Sequence, residues 1–597
     1  ADGAGGAPVT RRAVVALGAV VVTLLSACGG GLSTKSPIQP GLEVGSVQEN
    51  EIRVEASPIR PGASPQEVVE GFIRAAAASD DQYQVARSYL TPDAAAGWRP
   101  DTSVVVFGNE SVLDTQPSGA GRVTAKATVT ARVDDTGRYQ ELAADNKIEV
   151  DFRVIQRAGE WRITQVPENF GTWLSNSDFL RLYDPFRIYF LSASQRRLVP
   201  DVRWLPLGTG LATRLARSLL SGAPEYLRGA VRSEVPAGTR LAVDAVTIDS
   251  GTATVDLTST RLAADPAQRQ NLGAQFLATV GQAPGVDRVA LQLEGADLRV
   301  PGFDGALDSL SALGFATPTE PEVKPLLRIG TALVPVRPEQ VGDPGERVVA
   351  PPTAALPTLQ AGWAYPALSR TGREVAAVGG DRAQLARWRG KAQIQVLTFG
   401  SQLTRPTYDT QDMLWVAGRD DDQTKVWVVN TAADPADAAK TGPRALTAPW
   451  LTDRRVVSLR VAPDGQRLAV VSTDEAGKGP RVDVTGVVRA ASNLPMSLAT
   501  PLRLAPTLTL MRDVVWVDDA TLVVLGRRNA GQVLRPWTVP LGGQISAGPE
   551  ISGARTITTV NGERGLVVTT DDQQVLLRAG SRWQRVGEGT DLLVAAR

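Results

Sequence analysis

Val461-Ala462-Pro463-Asp464-Gly465-Gln466-Arg467-Leu468-Ala469-Val470-Val471 sets the fold of the C-terminal half. It reads as the end of one strand, a tight turn built on Asp and Gly, and a second apolar strand. The same layout returns at residues 368–378, 515–525 and 559–569, and residues 408–416 with 425–429 supply a fifth unit. Anchors near 369, 409, 462, 516 and 560 are spaced by 40, 53, 54 and 44 residues. A four-stranded propeller blade takes about 40–50 residues. Residues 325–597 are therefore predicted to form an all-β propeller of five or six blades, with a strand at 331–336 pairing with the last blade to close the ring.

Upstream of the propeller the periodicity changes twice. Residues 48–185 open on Ser64-Pro65-Gln66-Glu67, a capping box with proline in the first helical turn. Val68, Val69, Phe72 and Ile73 then follow at helical spacing, and a second short helix is predicted over 82–90, ending at Thr91-Pro92. Strands are predicted at 103–107, 122–133, 147–156 and 161–166, the second with Val123, Ala125, Ala127 and Val129 on one face. Helices followed by an antiparallel sheet predict an α+β domain of nuclear-transport-factor-2-like form. Residues 186–305 alternate strands with helices over 212–220 and 267–280, and a hairpin of 240–248 with 252–257 turns at Asp249-Ser250-Gly251. That pattern predicts an α/β or α+β domain, joined to the propeller by a linker over 306–324.

The first 30 residues carry a different kind of signal. Arg11 and Arg12 precede an apolar run over 13–25, too short for a membrane span of about 20 residues but suited to a signal peptide. The run ends Leu25-Ser26-Ala27-Cys28, followed by three glycines, and resembles the lipobox of bacterial lipoproteins. Small residues at 26 and 27 admit a peptidase, and only a thiol accepts the diacylglycerol. The predicted order is a signal over 1–27, a lipidated Cys28 and a flexible tether over 28–47 rich in Gly, Ser and Pro. A non-lipidated secretory signal with an incidental Cys28 and an uncleaved anchor are the other two readings. Two arginines do not decide between general and twin-arginine export.

Composition removes most catalytic machinery. The 597 residues contain no His, one Cys and three Met, and 63 basic residues balance 63 acidic ones. No Ser-His-Asp triad, His metal ligand or disulfide is available, and the neutral balance argues against a nucleic-acid surface. No phosphate-binding glycine loop is present, and Gly379-Gly380 reads as a strand end. Asp420-Asp421-Asp422, Asp518-Asp519 and Asp571-Asp572 read as turn residues, with a weak Ca²⁺ site as the alternative. Trp98, Trp161 and Trp173 read as core or rim, and Trp415, Trp427, Trp516 and Trp537 as blade core unless one faces a partner. Arginine outnumbers lysine 55 to 8, which suits either a GC-rich genome or guanidinium-rich interfaces. No cofactor, metal or catalytic residue is predicted.

Tyr189-Phe190-Leu191, Arg203-Trp204-Leu205-Pro206, Leu219-Leu220-Ser221-Gly222-Ala223-Pro224, Pro236-Ala237-Gly238-Thr239 and Ala253-Thr254-Val255-Asp256-Leu257 together resemble the GerMN domain. The order lipobox, α+β domain, GerMN domain and propeller resembles the LpqB family of actinobacterial lipoproteins, over nearly the whole chain. That resemblance implies a membrane-anchored, extracytoplasmic, non-enzymatic accessory of the MtrA–MtrB two-component system. Its implied partners are the membrane, through the N-terminal lipid, and the extracellular domain of an MtrB-like sensor histidine kinase. Its implied roles are in envelope homeostasis and cell division. A lipoprotein binding cell-wall glycan, peptide or solute is the alternative, and a carboxylate-based propeller hydrolase is the third class.

Overall fold

Ser64 caps the first helix, Pro65–Ala75, as its sequence predicts. Its hydroxyl accepts from Glu67 N–H at 3.3 Å, and the Glu67 carboxylate accepts from Ser64 N–H at 2.7 Å. In the computed structural model, the residues described are 3, 56–78, 83–109, 113–119, 121–193, 197–259, 265–315, 325–336, 356–396 and 398–595. Cys28, with Leu25, Ser26 and Ala27 of the lipobox, lies outside them, as do the signal and tether segments apart from Gly3.

The first helix buries Val68, Val69, Phe72 and Ile73. Phe72 meets Trp98, Phe152 and Phe170 with ring centroids 5.0, 6.1 and 5.9 Å away. Strand Arg122–Asp134 is the hub of the domain's sheet, flanked by Lys147–Arg157 and Ser103–Phe107. Its Val123, Ala125, Ala127 and Val129 are buried in the predicted alternation. Glu160–Gln165 forms one edge, and Thr172–Ser175 forms the other by pairing parallel to Ser103–Phe107. Two expectations shift here. The second helix is only Gln84–Ser88, and Thr91-Pro92 opens a further helix, Pro92–Gly97, rather than ending one, because proline is suited to a first helical turn.

The second domain begins on strand Tyr183–Ser192, which pairs in full with Leu198–Pro206. Among the described residues no strand lies beside residues 187 and 189 on one edge of Tyr183–Ser192. Side chains on and just after the helix Pro266–Val280 fill that role: Gln282 bonds both Arg187 N–H and C=O, Thr279 Oγ1 accepts from Tyr189 N–H, and Gln275 donates to Tyr189 C=O. The same helix carries the chain between the parallel strands Thr252–Thr258 and Arg288–Leu293. The predicted hairpin over 240–257 is interrupted: Arg240–Leu241 and Thr247–Asp249 pair separately with Thr252–Thr258. Ser250 and Gly251 take φ of 48° and 76° at its turn, where glycine relieves the left-handed backbone. Residues 306–315 belong to this domain rather than to a linker, since Leu307, Leu313 and Phe315 are buried in its core.

Among the described residues six sheets follow, each a blade. Blade two runs Trp363–Leu368, Glu374–Gly379, Leu385–Arg389 and Ala392–Gln395; blade three Thr407–Tyr408, Met413–Asp420, Gln423–Asn430 and Arg444–Leu446. Blade four runs Arg455–Val461, Arg467–Thr473, Arg481–Arg489 and Pro495–Leu498, with Leu502–Leu504 as an extra edge. Blade five starts at Leu510–Trp516 and blade six at Ala554–Thr559. Blade one differs from the prediction. The segment near 331–336 does not join the last blade: Ala332–Pro335 pairs with Leu326–Ile329, which pairs with the C-terminal strand Asp591–Leu593 in a sheet of its own. The two ends of the propeller sequence thus close the ring.

Deleting residues 589–597 removes the innermost strand of blade one. It exposes the sites of Leu592 and Leu593, worth roughly 1.5–3 kcal/mol each, and strands the Arg405 charge that Asp591 holds. Calorimetry should show the main unfolding transition lowered by roughly 10 °C or split in two; an unchanged transition would mean that the closure is not a structural element.

Candidate functional site

The three domains meet in a seam of buried charge. Arg467 opens an apolar strand of blade four, and its side chain has no solvent exposure. Its Nε donates to Asp464 at 2.7 Å, one terminal nitrogen donates to Pro200 C=O at 3.1 Å in the second domain, and the other reaches Asp519 C=O in blade five. The guanidinium also lies 5.1 Å from the centroid of the Trp516 ring. Burial alone would depress the Arg467 pKa, but the Asp464 and Asp519 carboxylates hold it above the ordinary value. Beside it, Tyr226 donates to Asp201 at 3.0 Å, Asp201 pairs with Arg203 at 2.5 Å, and Arg203 donates to Thr136 C=O at 2.8 Å in the first domain. Burial, reinforced by the Asp201 charge, pushes the Tyr226 hydroxyl well above the ordinary range, so it stays a neutral donor.

Close backbone approach completes the seam. A Cβ on Gly486 in blade four would lie 2.6 Å from Ala230 Cβ and 2.7 Å from Tyr226 O, so only glycine fits there. Trp204 donates to Gly542 C=O at 2.6 Å, and Arg187 pairs with Asp519 at 3.2 Å. One apolar cluster runs from Ile188, Leu215 and Phe276 of the second domain into Val471, Val484 and Leu522 of blades four and five.

The propeller axis holds a cavity of about 150 Å³ lined by all six inner strands, including Leu368, Tyr408, Arg460, Trp516, Thr559 and Leu593. At one end each inner strand of blades two to five is followed by a turn tied by a side chain. Ser369 Oγ accepts from Glu374 N–H, Asp409 from Gln411 and Met413 N–H, Asp464 from Gln466 N–H, and Asp518 from Ala520 N–H. These are the turns the repeat predicted. The ones in blades four and five face the second domain, where Arg197 donates to Pro463 C=O at 2.8 Å.

The acidic clusters fall at turns, with one addition. Asp421 and Asp422 take φ of 44° and 61°, the pair of left-handed residues that a two-residue hairpin turn requires. Asp572 accepts from Thr570 and Gln574. Asp518-Asp519 does more than turn, because it meets Arg187 across the seam. Among the described residues no group of three or more His, Cys, Asp or Glu is placed to hold a metal ion. Trp98 and Trp173 are buried and Trp161 is half-buried, while Trp415, Trp427, Trp516 and Trp537 all lie in blade interiors. Gly379 ends a strand as expected.

Buried arginine pairs were not found by sequence reasoning. Glu374 holds Arg387 at 2.7 Å and Arg389 at 2.9 Å, Asp409 holds Arg489 at 3.3 Å, Asp513 holds Arg460 at 3.2 Å, and Asp591 holds Arg405 at 2.6 Å. The available signal was a lone charge at the start of an apolar strand, as in Glu374-Val375-Ala376, Arg467-Leu468-Ala469 and Asp513-Val514-Val515.

Fold and seam together define a three-domain propeller protein. Residues 345–592 match the family model described as the lipoprotein LpqB beta-propeller domain, residues 58–180 that of the lipoprotein LpqB N-terminal domain, and residues 187–299 that of sporulation and spore germination. Lipoprotein LpqB of Streptomyces coelicolor is 30% identical, covering 97% of this chain and 97% of its own. That of Cutibacterium acnes is 27% identical over 97% of this chain and 98% of its own. The solved first GerMN domain of the sporulation protein GerM from Bacillus subtilis is 22% identical, covering 21% of this chain and 93% of its own, with a TM-score of 0.17. The chain belongs to the LpqB family of lipoproteins. Among the described residues no helix is long and apolar enough to cross a membrane.

Arg467→Met leaves the Asp464 carboxylate buried without its cation and should cost about 3–5 kcal/mol in denaturant unfolding; a loss below about 1 kcal/mol would remove Arg467 as the centre of the seam. A second test uses pH. Burial pushes the Glu141 carboxyl up to about 7, against the opposing pull of Arg528, 3.8 Å away. A raised folded pKa gives stability that is complete below the unfolded value of 4.5 and is lost as pH rises through 7. Wild type should therefore lose about 2 kcal/mol relative to Glu141→Gln between pH 5 and 8, and parallel stability profiles would contradict this.

Proposed function

We propose that this protein is a lipid-tethered, extracytoplasmic accessory regulator that binds the extracellular sensor domain of an MtrB-like two-component histidine kinase and so affects envelope homeostasis and cell division. Its N-terminal domain is read as nuclear-transport-factor-2-like, from its helices followed by a sheet.

The observation that carries this reading is the seam. Three domains locked by Arg203, Arg467 and a shared apolar core present fixed faces to a partner, so little ordering entropy is lost on docking. The lipobox supplies the other half. A diacylglycerol on Cys28 gives the double acyl anchor that stable membrane attachment needs. A Gly/Ser-rich coil as long as segment 28–47 has a root-mean-square reach of about 25 Å. Confinement to that layer raises the effective concentration near a membrane receptor into the millimolar range, on the order expected for short linkers. A modest preference for one conformation of the sensor is then enough to bias the kinase.

Cys28→Ala should lose radiolabelled lipid and move from the membrane to the soluble fraction, and retention of both label and membrane association would remove the anchor. Residues 45–597 should bind the purified sensor domain in calorimetry, and no heat at tens of micromolar would remove the kinase reading.

A further inference from the structure

The inner strands of blades two, four, five and six each carry a β-bulge near their start, between Ala364 and Ala367, Val456 and Ser458, Met511 and Asp513, and Ala554 and Thr556. A bulge places extra residues opposite the partner strand and re-aims a side chain. Two of the extra residues are Arg555 and Tyr365. Tyr365 is held at φ 53°, a left-handed conformation that a bulky residue adopts only when its surroundings impose it. Two guanidiniums lie against its ring, Arg405 at 5.9 Å and Arg555 at 5.7 Å from the centroid. These three residues belong to blades two, three and six, so they gather across the axis. They stand at the starts of the inner strands, opposite the turns that face the second domain.

Inside this mouth the cavity wall includes Arg405, Arg460, Thr407 and Thr558. The carboxylates nearby are already committed. Asp513 accepts from Ser458 Oγ at 2.6 Å, Val514 N–H at 3.0 Å and Ile557 N–H at 3.1 Å, besides Arg460. Asp591 is shared between Arg405 and Arg328, at 2.6 and 3.8 Å. Donors, by contrast, are left over. Arg405 Nε is buried with no hydrogen-bond partner. Among the described residues Arg555 has no hydrogen bond or ion pair, and the hydroxyls of Thr407 and Thr558 bond to nothing in the protein. Four guanidiniums, those of Arg328, Arg405, Arg460 and Arg555, thus stand against two carboxylates.

We propose that this end of the propeller channel is a binding site for a small oxyanion, a carboxylate or phosphate group, held by Arg405, Arg460 and Arg555 with Thr407 and Thr558 as hydroxyl donors. Planar guanidinium forks suit either group, and low-dielectric walls strengthen the contact. A volume of about 150 Å³ equals about five water molecules. The ligand is therefore a small acid, or the charged terminus of a longer molecule that enters past Tyr365. The aromatic ring between two cations holds both guanidiniums in place before the anion arrives. This site stands apart from the kinase reading and needs no kinase to be tested.

Calorimetry on the full-length chain in detergent, titrated with sodium acetate and with inorganic phosphate against sodium chloride at matched ionic strength, tests it. One of the two should bind with a Kd of about 1 mM or tighter, and which one does so tells a carboxylate ligand from a phosphate one. Arg555→Ala breaks no ion pair and should weaken binding at least tenfold. Thr558→Val, which removes only a hydroxyl, should weaken it about threefold. Arg582→Ala removes an equal charge from the exposed outer strand of blade six and should leave binding unchanged. Binding no stronger than chloride, or equal losses in Arg582→Ala and Arg555→Ala, would overturn the proposal.

Discussion

A single buried guanidinium, that of Arg467, ties blade four to its own turn, to blade five and to the second domain at once. A charge with no solvent exposure must be held by partners inside the protein, because an unpaired buried ion costs several kcal/mol. That requirement fixes three things together: the Asp464 turn, the position of the Pro200 carbonyl, and the approach of Asp519. Once they are set, Tyr226, Asp201 and Arg203 extend the same chain of polar contacts to Thr136 in the first domain. No pair of domains can move apart without exposing or orphaning part of it.

The consequence is that domain boundaries along the chain are not boundaries of folding. The second domain shares its apolar core with blades four and five, so neither side buries its full surface alone. Its first strand, Tyr183–Ser192, follows directly on the helix Asn176–Leu182, whose Phe179 packs against Trp204 and Tyr139 with ring centroids 4.7 and 5.8 Å apart. The hairpin 183–206 is thereby a wedge, with the first domain on one side and the propeller on the other. For a protein read as a tethered docking module, such rigidity sets the angle at which every face meets a partner.

Local chemistry was legible and long-range chemistry was not. The Ser64 capping box, the alternation of Val123, Ala125, Ala127 and Val129 and the turns at Ser369, Asp409, Asp464 and Asp518 each lie within a dozen residues, and each formed as read. Blade one was misplaced because its strands come from residues 326–335 and 591–593, a pairing that no local window contains. Residues 306–315 read as a linker because Leu307, Leu313 and Phe315 have no helical or strand period, although all three are buried. The short helix Asn176–Leu182 was missed for the same lack of periodic signal. For the channel, the sequence showed Arg405, Arg460 and Arg555 only as members of an arginine-rich composition. Their convergence depends on ring closure, which brings blades two, three and six to one axis.

The buried ion pairs also bear on how degenerate repeats reach one ring. Four of the six inner strands, those of blades two to five, precede turns of similar shape, so apolar burial alone distinguishes poorly between a correct and an incorrect neighbour. The charges do distinguish them. Glu374 is answered by Arg387, Arg389 and the Tyr408 hydroxyl of the next blade, Asp409 by Arg489 of blade four, and Asp513 by Arg460 of blade four and Ile557 N–H of blade six. A blade in the wrong place would leave at least one of these carboxylates or guanidiniums buried without its partner. Replacing such a pair by apolar residues is often neutral or stabilising in itself. What the pairs contribute is therefore order: they penalise wrong neighbours more than they favour the right ones. The arginine excess, first a matter of composition, becomes the means by which six unlike blades close in one sequence and leave their surplus charge facing the axis.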